Sequence, residues 1–245
     1  MRILVINANT SPEVTKRVEI EARRTALPDT EVVAVSADFG PGIIRTRADN
    51  TIAAHAALSA YARHGADRDA VVLAVSTDTG LSALREVSSV PVVGMTEAAL
   101  HVACMQGGRF GLIVFDLRAQ PVFREVVASH GLLSRLAAIH TIAMTIDEFQ
   151  NPDRVKAAVA AGVDKLVDDH AAESVIVTGA TMAGVARSLQ GVAKAPLIDG
   201  ISSAIVLAEG LARMKLPKPT AGSFVKEASF ALKNVDPNLL SMLKG

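Results

Sequence analysis

Three short stretches carry side chains from which chemistry could be built. "VSTDTG" (75–80) gathers the Ser76 and Thr77 hydroxyls and the Asp78 carboxylate in one turn. Hydroxyl and backbone N–H donors in such a turn can grip an oxyanion, and Asp78 is its only acid. Asp78 or Thr79 can equally cap the helix that follows. "NANTS" (7–11) sets Asn7, Asn9, Thr10 and Ser11 at the start of a helix, where first-turn N–H groups make a seat for a carboxylate or phosphate. Ordinary N-capping by Ser11 is the plainer alternative. "TGATMAG" (178–184) offers Thr178 and Thr181, with Gly179 and Ala180 small enough to let a ligand approach the backbone. Capping is again the rival.

Other chemistries find no residues. Histidines stand at 55, 64, 101, 130, 140 and 170, with no HxxxH or HExxH pair, so no metal site is expected. His101 reads first as a structural histidine. The lone Cys104 falls in a helical stretch without a visible activating neighbour and reads as a packed thiol. The chain contains no G-x-S-x-G elbow, no phosphate-binding GxxxxGK[ST] and no dinucleotide-binding GxGxxG.

The elements that must position these turns alternate along the chain. "RILVIN" (2–7), "EVVAVSA" (31–37), "AVVLAVS" (70–76) and "VPVVGM" (90–95) read as strands. So do "RFGLIVF" (109–115), "AAIHTIAM" (137–144), "ESVIVTG" (173–179) and "APLIDG" (195–200). Amphipathic stretches separate them, and the tail from Pro217 reads as irregular. Strands apolar on both faces that alternate with helices predict an α/β fold with mainly parallel sheets. Two segments repeat one pattern of strand, small polar turn, short helix, x-Pro-apolar strand and helix. Val75 to Pro91 spans 16 residues and Gly179 to Pro196 spans 17. Any two βα units share some of this, but the match suggests internal pseudo-twofold symmetry. The expected organisation is two similar Rossmann-like lobes, 1–108 and 109–204, with 205–245 packing back on the first. The polar turns then lie at the carboxyl ends of strands, where open α/β sheets bind ligands.

Composition sets the class of partner. Lys+Arg and Asp+Glu balance at 25 each, so neither nucleic acid nor an anionic membrane surface is expected. One cysteine permits no intrachain disulfide and fits a reducing compartment. No apolar run approaches the roughly 18–20 residues of a membrane span, and the N-terminal apolar run is short for a secretory signal. A cytoplasmic protein is expected.

Several motifs together resemble the aspartate/glutamate/hydantoin racemase superfamily: "MRILVINANTS" with Thr15, "FGPGIIRTRAD", "TDTGLSALREVSSVPVVGMTEAALH", "ESVIVTGATMAGVARSL" and "APLIDGISSAI". The similarity runs to about residue 215. It implies two α/β lobes with the site between them, no cofactor, a small carboxylate or cyclic ureide or imide as ligand, and a homo-oligomer. It also implies two thiols, one per lobe, that remove and return a proton on opposite faces of a carbon. Their places hold Val75 and Gly179 here, so the two-thiol mechanism is excluded. The oxyanion-binding set is retained: Asn7, Asn9, Ser11, Ser76, Thr77, Gly179, Ala180 and Thr181. Ala8 replaces the usual proline between the asparagines, and Arg45 replaces an acid after "GP".

The resemblance therefore implies a diverged enzyme, related to the arylmalonate decarboxylase and maleate isomerase branches. Its reaction is expected to be decarboxylation, isomerisation or ring hydrolysis. Asp78, Glu97, His101 and Asp199 are the candidate acids and bases, Glu97 and Asp199 following corresponding strands. The alternatives are a racemase using bases other than cysteine, and a non-catalytic protein that binds small carboxylates.

Overall fold

A computed structural model describes residues 1–144, 146–227 and 232–244. It contains two compact units, Met1–Gly94 with Ala204–Gly245, and Met95–Ser203.

In the first unit, strands β1 (Arg2–Asn7), β2 (Glu31–Ser36), β3 (Ala70–Leu73) and β4 (Val92–Gly94) form a parallel sheet in the order β2-β1-β3-β4. Five consecutive residues of β1, from Ile3 to Asn7, are buried. Such a run has no solvent face and needs helices on both sides. Those between the strands are α1 (Pro12–Thr25), α2 (Arg47–His64) and α3 (Leu81–Val87). Ser11 caps α1, with Pro12 at its first position, as the sequence suggests. Helix α2 starts four residues ahead of the amphipathic stretch "TIAAHAALSAYARHGA" (51–66) that predicts it. Thr46 and Asp49 close a reciprocal capping box, Asp49 N donating to Thr46 Oγ1 (3.0 Å) and Thr46 N to Asp49 Oδ2 (2.9 Å). N–H donors from Arg45 and Thr46 hold the Asp49 carboxyl below its ordinary pKa.

The second unit opens with α4 (Met95–Gln106). Its strands β5 (Phe110–Val114), β6 (Leu136–Thr141), β7 (Ser174–Val177) and β8 (Leu197–Asp199) are also parallel, in the order β6-β5-β7-β8. The remaining helices are α5 (Ala119–Ser129), α6 (Ile146–Phe149), α7 (Pro152–His170), α8 (Val185–Leu189) and α9 (Gly200–Met214), whose residues from Ala204 belong to the first unit. The units divide at Met95, ahead of the 108/109 boundary read from the sequence. Ala99, Leu100 and Ala103 of α4 are buried in one cluster with Phe110, Leu112, Ile176 and Ile198, and that apolar contact assigns the helix. The two sheets share one strand order, which is the topology the repeated segments predict.

The C-terminal tail departs from the irregular reading, part of which (228–231 and 245) lies outside the described residues. Helix α10 (Pro237–Leu243) is capped by Asp236, which accepts from Asn238 N and Leu239 N, and it packs against α2. Arg63 reaches Asp236 at 2.7 Å. Among the described residues no helix is long and apolar enough to cross a membrane.

Two polar details of the cores are testable. Glu209 on α9 is only 5% exposed and accepts from Leu27 N (3.0 Å) and Thr30 Oγ1 (2.6 Å). Glu209→Ala leaves both donors without this acceptor and is expected to cost about 1–3 kcal/mol in urea unfolding, with Glu209→Gln milder. His140 on β6 lies against α7, where a Cβ on Gly162 would come within 2.9 Å of its ring. Burial, then the charges of Lys165 and His170, push its pKa below the ordinary 6.5. The charged imidazole is thus disfavoured in the folded state. The contribution of His140 is complete above the unfolded pKa and is lost as pH falls through the folded one. Stability measured on descending through pH 6.5 is expected to fall less steeply in His140→Gln.

Candidate functional site

The turns read from the sequence sit at the carboxyl ends of the two sheets, and each unit builds its own set.

In the first unit "NANTS" leaves β1. Asn7 is buried and donates to Asn9 Oδ1 (2.9 Å) and Thr15 Oγ1 (2.9 Å), and Thr15 meets Ser36 Oγ at 2.6 Å. Asn9 Oδ1 also accepts from Ser11 N at 2.9 Å. Asn7 and Thr15 therefore fix the loop from inside. Asn9 is half-buried, and its amide N–H₂ has no partner among the described residues. The "GP" segment joins this loop through Thr10 N donating to Pro41 O (3.1 Å). Arg45 is exposed, and its backbone N–H donates to Asp49 Oδ2 at 3.0 Å.

The "VSTDTG" turn leaves β3. The Thr77 hydroxyl donates to Asn50 Oδ1 at 2.7 Å, Thr79 donates to the same oxygen at 2.6 Å, and the two hydroxyls lie 2.6 Å apart. Thr77 is thus committed to Asn50 on α2, not held open for an oxyanion. Asn50, which sequence reasoning missed, supplies an amide N–H₂ without a partner among the described residues. Only the capping box that starts α2 at Arg47 could have revealed it, by placing residue 50 in the helix's first turn. Ser76 is half-buried and takes part in polar contacts of its own.

Asp78 is 8% exposed and sits at φ +49, a left-handed conformation that aspartate tolerates. Its carboxylate lies over Gly94, the last residue of β4. A Cβ there would come within 2.5 Å of Asp78 Oδ1, so glycine is what makes room for the acid.

In the second unit Thr178 is buried, and its hydroxyl donates to Ile113 O (2.7 Å), which makes it a structural residue. Gly179 has φ +104 and ψ +125, where an L side chain is strained. Ala180 is buried and Thr181 is exposed. Asp199, ending β8, is 8% exposed and fully engaged. Its Oδ2 accepts from Gly184 N (2.8 Å) and its Oδ1 from Ile201 N (2.9 Å) and Ser202 N (3.0 Å). It caps α9 and ties that strand end to the turn before α8, so it is not poised as a base.

Strand register relates the two sets. Leu73 pairs with Gly94 on β4, and Val177 pairs with Asp199 on β8. Val75 and Gly179 each stand two residues past those strand ends, and the helix caps Gly80 and Gly184 each stand five further on. Asp78 then corresponds to Met182, and Gly94 to Asp199. Each unit places one buried carboxylate between the turn and its last strand, supplied from the turn in the first unit and from the strand in the second.

Glu97 and His101 are elsewhere, on α4, beside His130 at the end of α5. Within the second unit they form a group with His130, a residue the sequence reading did not select.

Two four-stranded parallel sheets with repeated topology and paired strand-end turns define a class, and comparison with known proteins names it. The sequence profile of the family described as "Asp/Glu/Hydantoin racemase" matches residues 3–208. The chain belongs to that family. It is 32% identical to the hydantoin racemase of Pseudomonas sp. (strain NS671) over 85% of each chain. Its fold is similar to the solved allantoin racemase from Klebsiella pneumoniae, with TM-score 0.92 and 29% identity over 98% of both chains. It is likewise similar to the allantoin racemase from Pseudomonas fluorescens, with TM-score 0.91 and 26% identity over 96% of this chain and all of that one.

The backbone at the two equivalent positions gives a direct test. Val75→Cys replaces one buried apolar group by a slightly smaller one and is expected to cost under about 1.5 kcal/mol. Gly179→Cys forces a Cβ onto a backbone at φ +104 and is expected to cost about 1–3 kcal/mol. Urea unfolding of the two single variants checks the difference.

Proposed function

We propose that the protein is an isomerase of a five-membered cyclic ureide, of the hydantoin or allantoin type, and that it exchanges the proton on the ring carbon beside a carbonyl. The observation that carries this reading is the donor set of the first unit. Two half-buried amides, Asn9 and Asn50, keep N–H₂ groups without a partner among the described residues, at the carboxyl end of the sheet that also carries the Asp78 carboxylate. A cyclic ureide presents carbonyl acceptors, and loss of its ring C–H moves charge onto one of those oxygens. Amide donors stabilise that charge, while a positioned carboxylate accepts the proton. The hydantoin and allantoin racemases among its relatives support this substrate class and favour isomerisation over the decarboxylation or ring hydrolysis drawn from the motifs.

The residues divide the work as follows. Asn9 and Asn50 hold the ring carbonyls. Asp78, buried over Gly94, takes the proton on one face. No thiol stands at Val75 or Gly179, so solvent returns the proton. The reading includes a cytoplasmic, homo-oligomeric enzyme that needs no cofactor for this step.

One observation favours a second reading, a binding protein on the same scaffold. Both positions that the resemblance assigns to thiols lack a titratable side chain, and Gly179 holds a backbone that does not welcome one.

Incubation in deuterated buffer with a 5-substituted hydantoin and with allantoin, followed by proton NMR, separates the two. The isomerase reading expects deuterium at the ring carbon above the uncatalysed rate. Asp78→Asn should lower that rate by about 10²–10⁴-fold. Gly94→Ala, which displaces the carboxylate while leaving Asp78 in place, should give a comparable loss. A ligand-dependent rise in Tm with no exchange supports the binder, and equal exchange in Asp78→Asn removes Asp78 from the mechanism.

A further inference from the structure

One cluster in the second unit is suited to a ligand of another kind. Glu97 and His101 stand one turn apart on α4, at the i, i+4 spacing that puts two side chains on one helical face. His130, the residue that closes α5, meets that face. One donor atom from each residue lies within 4.8 Å of the others. His130 Nδ1 is 3.8 Å from Glu97 Oε1, and the two imidazoles meet edge to face with centroids 6.2 Å apart. His101 is exposed, and the other two are half-buried.

We propose that Glu97, His101 and His130 form a binding site for a divalent transition-metal ion, with Zn²⁺ the best match. Two imidazole nitrogens and one carboxylate oxygen are a zinc donor set, whereas Ca²⁺ and Mg²⁺ call for oxygen ligands throughout. Bond lengths of about 2.0–2.2 Å put neighbouring donors of a tetrahedral ion roughly 3.4 Å apart. The Glu97–His130 pair is already near that separation. The His101 nitrogen lies within 4.8 Å of both other donors, on an exposed side chain. Three protein ligands leave a fourth position open to water.

The scaffold beneath the site is firm. Leu100 and Ala103 of α4 and Phe123 and Val127 of α5 are buried in one apolar cluster, so the two helices hold the donors together before any ion arrives. A bound ion fastens α4 to the end of α5 and stabilises the folded state in proportion to its occupancy. The third ligand is 29 residues beyond the second, from His101 to His130, which is why the absence of a histidine pair in the sequence conceals the group.

The test uses the full chain stripped with EDTA and titrated with Zn²⁺ against a competing chromophoric chelator. One ion per chain is expected, with affinity at least roughly 100-fold weaker in His101→Ala and in His130→Ala. Co²⁺ substituted at the site should show the visible bands of tetrahedral coordination, and these should vanish in His101→Ala. Because His101 is exposed, this variant should keep the far-UV circular dichroism of the parent. Absence of stoichiometric Zn²⁺ in the parent, or unchanged affinity in a folded His101→Ala, overturns the proposal.

Discussion

In each unit a buried carboxylate lies between the end of the last strand and the turn that leaves the strand beside it. In the second unit it is Asp199, whose two oxygens accept three backbone N–H groups and so hold strand end, turn and following helix in one arrangement. In the first unit the acid comes from the turn, and the strand ends in a glycine that leaves it room. A buried carboxylate is tolerated only when it is hydrogen-bonded or paired, so its partners cannot drift apart without leaving a charge exposed to a low dielectric. The strand-end loops, and any ligand they hold, depend on that constraint.

The two acids are held differently. Asp199 is saturated by donors and serves as a cap. Asp78 adopts a left-handed backbone, and its carboxylate lies over Gly94. Around it the hydroxyls of Thr77 and Thr79 are spent on one oxygen of Asn50. The amide N–H₂ groups of Asn9 and Asn50 have no partner among the described residues.

The positions where the family resemblance implies thiols differ in kind. Val75 keeps an ordinary backbone and a buried apolar side chain. Gly179 stands on a backbone that L residues rarely adopt. The polar histidine group of the second unit lies between α4 and α5, fixed by an apolar core that extends beneath both helices.

Much of this was legible in the sequence alone. Uninterrupted apolar runs such as Ile3–Ile6 announced strands buried on both faces, and their alternation with helices fixed a parallel α/β fold, because these patterns record burial locally. The repeated strand–turn–helix segments likewise foretold two sheets of one order, and the motifs pointed to the family. Helix α10 escaped, since seven residues in a polar tail carry little periodicity. Tertiary structure decided what each polar residue does. Thr77 and Asp199 look available in the sequence but are committed, one to Asn50 and the other to three N–H groups. Asn50 and His130 look unremarkable there but converge on partners 27 and 33 residues away, Thr77 and Glu97 respectively. Periodicity reports which face a side chain turns toward the core. Which polar partner it meets depends on how separate elements pack, and no local pattern encodes that.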